Sequence, residues 1–421
     1  MHYENSLAFA RKLDKQDPLK SYRKKFRIPK VKGKPSIYFT GNSLGLQPID
    51  TKKYLAEELT DWSTLGVEGH LHARRPWLYY HKFFKKPLSK LVGAKPNEVT
   101  AMNQLTVNLH LMLVSFYQPT KERFKIITEA GAFSSDQYAF ESQVKWHGLN
   151  PEETIIEISP REGEFTLHTE DIIETIHKHG QQTALVIFGG VQYYTGQFFD
   201  IKKITAAAHA VGAYAGFDLA HAIGNVPLDL HSSNVDFAVW CSYKYLNSGP
   251  GGVAGAFVHE KHHSNNEIPR FSGWWGHHEG ERFHMKKGFK PMEGIDAWQL
   301  SNFPVLSGAA HLVSLKIFGE VGMNRLRKKS ELLTGYLEFL LNQIDPIGKS
   351  FSIITPSHEK ERGCQLSIFM KQNGKKVFNA LTKVGIVADW REPNVIRVAP
   401  VPLYNSFEEV LRFTQIFAKH I

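Results

Sequence analysis

Residues 213–244 read AYAGFDLAHAIGNVPLDLHSSNVDFAVWCSYK. Two apolar runs of strand length stand out, Ala213-Tyr214-Ala215-Gly216-Phe217 and Phe237-Ala238-Val239-Trp240-Cys241. Each leads to a side chain able to do chemistry: Asp218 closes the first, and Lys244 soon follows the second. Runs that are apolar at every position predict strands buried on both faces, as in a parallel sheet with helices above and below. In such sheets ligands gather at the carboxyl ends of the strands. Asp218 and Lys244 are therefore expected at one edge of one sheet.

The same texture extends upstream. Strand-like runs occur at Phe124-Lys125-Ile126-Ile127, Ile155-Ile156-Glu157-Ile158 and Ala184-Leu185-Val186-Ile187-Phe188. Helix-period stretches from Asp136 to Trp146, Thr169 to His179 and Ile201 to Val211 separate them. Further back, Ile37-Tyr38-Phe39 reads as a short strand, Thr40 to Gly45 as a tight turn, and Thr51 to Leu65 as a helix. After Phe303-Pro304 the pattern changes to two long helices (about Ser307 to Phe318 and Met323 to Ile344). Strands near Phe351, Leu366 and Val395 follow, then a last helix from about Ser406. The expected fold is α/β, with a mostly parallel sheet in a large domain over 51–303 and a smaller α+β domain over 304–421. Residues 1–50 are expected to join the small domain.

Composition narrows the function. No run reaches the roughly 18 apolar residues of a membrane-spanning helix. The first twenty residues mix charge signs without an apolar centre, so no signal peptide is expected. Cys241 and Cys364 are the only cysteines, which excludes a disulfide framework and fits a reducing cytoplasm. The net charge of +10 is spread out, and its densest runs, such as Arg327-Lys328-Lys329, are short. That pattern predicts a solvated surface with some pull on small anions, not a nucleic-acid groove.

An aspartate and a lysine at one sheet edge suit pyridoxal phosphate (PLP). The lysine bonds to the aldehyde, and the aspartate keeps the pyridine nitrogen protonated. On spacing alone, a surface lysine and a capping aspartate remain open. The flanks favour the cofactor: Ser242 and Tyr243 precede the lysine, and Asn247-Ser248-Gly249-Pro250-Gly251-Gly252 follows it. Asn103 to Asn108 opens a helix whose free N–H groups could take a phosphate. His259-Glu260-Lys261-His262-His263 matches HExxH formally. It starts at the end of a probable strand, however, so no metal site is expected. The glycines from Gly249 follow no nucleotide-binding turn, and Cys364 is expected as a small core residue.

These residues, in order, resemble the kynureninase family, PLP enzymes of fold type I related to the class V aminotransferases. The likeness runs over Tyr38 to Leu46, Gly69-His70, Arg75-Pro76-Trp77, Asn103 to Asn108, Phe133 to Asp136 and Gly190 to Gln197. It continues through Phe217 to Ala222, Trp240 to Asn247, Gly273 to His277, Ser301-Asn302 and Ile396 to Pro400. The resemblance implies hydrolysis of kynurenine or 3-hydroxykynurenine by a cytoplasmic homodimer with shared active sites. Lys244 would be the covalent anchor and proton shuttle, and Asp218 the partner of the pyridine nitrogen. His221, Phe133 and Asp136 would surround the ring. Leu105, Thr106 and Tyr243 would hold the phosphate, with Tyr243 also catalytic. Trp274 and Asn302 would reach the cofactor or substrate from the partner subunit. Arg397 would clamp the α-carboxylate, while Ser43, His70 and Asn302 would face the aromatic end. One departure is Gly189, where relatives often carry serine and its hydroxyl contact. A class V aminotransferase or a cysteine desulfurase is the rival reading; the latter needs a mobile nucleophilic thiolate.

Overall fold

The computed structural model describes residues 2–265 and 267–421. Seven strands form the main sheet: β1 (Val99–Ala101), β2 (Lys125–Glu129), β3 (Ile155–Ile158), β4 (Thr183–Gly189), β5 (Tyr214–Asp218), β6 (Phe237–Trp240) and β7 (Gly255–Val258). Their order is β1-β7-β6-β5-β4-β2-β3. β7 runs antiparallel to β1 and β6, and the remaining pairs are parallel.

The continuous apolar runs are explained by two cores, one on each face. Ile127, Val186, Phe188, Phe217, Ala238 and Trp240 belong to the first. Their neighbours Ile126, Leu185, Ile187, Phe237 and Val239 belong to the second. Alternation along a strand sends successive side chains to opposite faces, so both must be apolar.

The helices used below are α1 (Leu7–Gln16), α2 (Thr51–Leu65), α3 (Leu105–Phe116), α4 (Ser134–Trp146), α5 (Ile201–Ala210), α6 (Val305–Val321), α7 (Met323–Ile344) and α8 (Phe407–Phe417). α5 and α6 cover the first face of the sheet, and α3 and α4 the second. A second sheet, ordered β8 (Phe351–Ile353), β9 (Leu366–Met370), β11 (Val395–Val398), β10 (Asp389–Arg391), is antiparallel throughout. It packs with α1, α7 and α8 around its own core, which also takes in Ile37 and Phe39.

α1 was not anticipated. Its cap is legible, since the Ser6 side chain accepts from Phe9 N–H, and Phe9, Ala10 and Leu13 are its buried face. Asp14 then caps α8 by accepting from the N–H groups of Phe407 and Glu408 at 2.7 and 3.0 Å. α6 packs on α2 and contributes Leu315, Ile317, Phe318 and Val321 to the first core.

Asp236, just before β6, fixes the strands that carry the site. Its buried carboxylate accepts from Ala215 N–H at 2.7 Å and meets His209, His262 and Lys261 at 2.8 Å each. These partners hold its carboxyl well below the usual range despite burial. Asp236→Ala strands several donors, so a loss of about 3–5 kcal/mol is expected in chemical denaturation.

Candidate active site

Because β2, β4, β5 and β6 are parallel, their carboxyl ends meet at one edge. There they deliver Glu129, Gly189, Asp218 and the Cys241–Lys244 segment to one cavity of about 170 Å³. Leu105, Thr106, Phe133, Ser135, Asp136, Tyr193, His221 and Tyr243 complete its wall. Lys244 Nζ lies 2.9 Å from His221 Nε2 and 5.6 Å from the centre of the Phe133 ring. The N-terminal turn closes in from behind: Gly45 N–H donates to the Tyr243 carbonyl at 2.8 Å. A Cβ on Gly45 would stand 2.3 Å from the Lys244 carbonyl, so only glycine allows this approach.

Charge in the cavity is organised around Lys244. Asp218 and Asp136 are buried and share a hydrogen bond, and burial raises both carboxyls. After burial the largest influence on Asp218 is the Lys244 charge, which lowers it and favours the anion there, while Asp218 itself raises Asp136. Ala220 N–H donates to Asp218 at 2.7 Å. Burial and the lysine charge hold His221 neutral, well below its usual value. Burial also raises Tyr243, which stays a donor at neutral pH.

Glu129 was missed, although it ends its strand as Asp218 does. Burial pushes its carboxyl up to about 7, against the Gly189 N–H that donates to it at 3.0 Å. Its folded value lies above the ordinary 4.5, so the native state holds the extra proton. That contribution is full below about 4.5 and is lost as pH rises through about 7. Glu129→Gln is expected to flatten this fall in melting temperature with pH. Glu129 also bears on the departure at Gly189: a Cβ there would lie 3.1 Å from Glu129 Oε1. A side chain at 189 would press on this carboxyl.

The residues present fit PLP. Asp136 Oδ1, His221 Nδ1 and Ser242 Oγ are buried polar atoms without hydrogen-bond partners. α3 has no side-chain cap at its first turn, and Thr106 points its hydroxyl at Ser135 Oγ, 2.8 Å away. A phosphate at that helix start would meet free N–H groups and two hydroxyls.

Other expected residues lie apart from Lys244 within one chain. His70 and Asn302 line one separate hollow of about 180 Å³ with Trp62 and Trp77. Trp274 is exposed and donates to the Arg282 carbonyl. Ser43 is exposed in the turn behind Lys244. Arg397 is fully buried, paired with Asp389, and donates to the Tyr193 carbonyl at 2.6 Å. The HExxH histidines do not sit one turn apart on a helix, since His259 caps a short 3₁₀ turn, Glu260–His262, and lies beside Glu98 and His231 instead. Cys364 is buried with its thiol pushed up to about 12, unsuited to desulfurase chemistry.

Residues 326–417 match the family described as "Kynureninase C-terminal domain". The kynureninase of Flavobacterium psychrophilum is 57% identical over 100% of this chain and 99% of its own length. The chain belongs to the kynureninase family. The kynureninase of Myxococcus xanthus is 54% identical over 99% of this chain and 98% of its own. That of Nematostella vectensis is 51% identical over 97% and 92%. Among solved structures, a C-DES mutant with glycine covalently linked to its PLP cofactor superposes with a TM-score of 0.78. It is 17% identical and covers 92% of this chain and 97% of its own. A cysteine desulfurase from Thermococcus onnurineus scores 0.75 at 18% identity, covering 91% and 94%. At such identity these two establish the shared fold type I architecture only. Membership in the kynureninase family makes the reaction a PLP-dependent hydrolysis of kynurenine, not desulfuration.

Proposed function

We propose that the cavity around Lys244 is where the Cβ–Cγ bond of kynurenine, or its 3-hydroxy form, is hydrolysed to the anthranilate and alanine. The observation that carries this reading is the convergence of Lys244, Asp218 and the uncapped start of α3 on one cavity. Bound PLP supplies a protonated ring that draws electrons from the substrate α-carbon. Asp218 holds the proton on the ring nitrogen. Phe133 would pack on the ring, while Thr106, the Leu105 turn and the Tyr243 hydroxyl would hold the phosphate. Lys244 Nζ takes the α-proton and returns it. The Tyr243 hydroxyl moves protons to and from the water that adds to the γ-carbonyl. Arg397 receives the α-carboxylate as a planar two-donor fork.

The chain is proposed to act as a homodimer, with Trp274 and Asn302 of one subunit completing the other's site. Ser43, His70 and Asn302 would then line the pocket for the aromatic ring. The His70–Asn302 hollow, edged by exposed Trp62, supports this reading. Two lobes are proposed, 51–303 holding the cofactor and 304–421 joined by 1–50, with α6 packed against the first. No helix among the described residues is long and apolar enough to cross a membrane. A cytoplasmic place in tryptophan degradation or NAD biosynthesis is proposed. The test is to incubate the holoenzyme with kynurenine. Anthranilate, followed by fluorescence, and alanine should appear in equal amounts; a keto acid or sulfide from other substrates instead would refute the reading.

A further inference from the structure

The strand register of the second sheet builds a cationic cluster that the sequence does not announce. β10 runs antiparallel to β11, with Asp389 opposite Arg397 and Arg391 opposite Val395. Asp389 and Arg391 are two residues apart, so they share a face, and Arg397 stands directly across from Asp389 on that face. One carboxylate oxygen therefore serves two guanidiniums: Arg391 Nη2 lies 3.1 Å from Asp389 Oδ2, and Arg397 Nη2 bonds to the same oxygen. Two cations and one anion leave one positive charge in surplus.

The donors are also left over. Arg397 Nη1 is used by the Tyr193 carbonyl, yet the Nε atoms of both Arg391 and Arg397 are buried without a partner. Buried guanidinium N–H groups without acceptors are costly unless a ligand supplies the oxygens. The cluster abuts the cavity through Tyr193, which lines it and whose ring meets Phe133 edge-on at 5.3 Å. Both guanidiniums also act on His221 in the cavity wall, helping to keep it neutral.

We propose that Arg391 is a second binding residue for the substrate α-carboxylate, acting beside Arg397 with Asp389 holding the two guanidiniums in place. This rests on the reading of Arg397 as the carboxylate anchor. The substrate carboxylate accepts from both guanidiniums, so that two cations and two anions alternate around one ring, and it takes up the surplus charge. A half-exposed arginine that merely pairs with Asp389 at the surface would contribute little to binding.

The test uses the holoenzyme and two unreactive probes that lack the amine. One is the deaminated analogue of kynurenine, an aryl keto acid; the other is the matching aryl ketone without the carboxylate. Arg391→Gln is expected to weaken the keto acid roughly tenfold or more while leaving the ketone unchanged. Arg391→Lys keeps the charge without the fork and should fall between; it serves as the comparison if the glutamine variant folds poorly. An unchanged ratio of the two affinities in either variant overturns the proposal, as does an equal loss for both probes. Arg397→Gln is measured alongside. Selective loss there with none at 391 refutes the role of Arg391 alone, whereas no loss at 397 refutes the anchor reading itself.

Discussion

Lys244→Ala is expected to give a protein without the visible absorbance of lysine-bound PLP and with turnover reduced by at least roughly 10³-fold. Among the described residues, Lys244 Nζ is the one amine lining the cavity, with His221 Nε2 at 2.9 Å and the Phe133 ring at 5.6 Å. His221 is neutral, so it accepts a hydrogen bond from the amine without competing for charge. Neither Asp136, whose carboxyl burial and Asp218 raise, nor Tyr243, whose hydroxyl burial raises, is placed to replace the amine as the base that accepts the α-proton and gives it back. Arginine at 244 should fail as well, because its guanidinium does not release a proton in this range. The measurements are the absorbance of the purified variant and its rate of anthranilate release. A rate within tenfold of the parent would contradict the assignment.

The second large effect concerns Asp218. Asp218→Ala is expected to weaken PLP binding by roughly 10²–10³-fold, the scale for removing one partner of a buried ion pair. Turnover should also fall at saturating cofactor, because the ring nitrogen loses the group that keeps it protonated. Asp218→Asn separates charge from packing. It keeps the shape and can still accept from Ala220 N–H, yet it cannot hold the pyridinium charge. Titration of the apoenzyme with PLP should show the same weakening for both variants. Parent-like affinity in Asp218→Asn would mean that the carboxylate charge does not face the ring.

The main sheet was readable because its strands are buried on both faces, so apolar character alone marks them. The site was readable where residues sit at strand ends: Asp218 directly follows Phe217, and Lys244 comes four residues after Trp240. The same rule applied to β2 would have found Glu129, whose role is hidden only because the strand is less apolar at Lys125 and Thr128. What remained illegible depends on distant partners. α1 forms in a polar, basic segment because Phe9 and Leu13 bury against the second core, and Asp14 caps α8 far along the chain. β1 has three residues and exists by pairing with β7. The Arg391–Asp389–Arg397 cluster needs the register of β10 against β11, which spacing in sequence does not give. His70 and Asn302 converge from segments far apart, in a hollow separate from the lysine.

The most direct measurement is reduction of the purified holoenzyme with borohydride, followed by proteolysis and mass spectrometry of the peptides. The account predicts a phosphopyridoxyl group fixed to the lysine at position 244 and to no other. A label on a different lysine, or an unmodified peptide spanning Ser242 to Asn247 in protein that contains bound PLP, would contradict it.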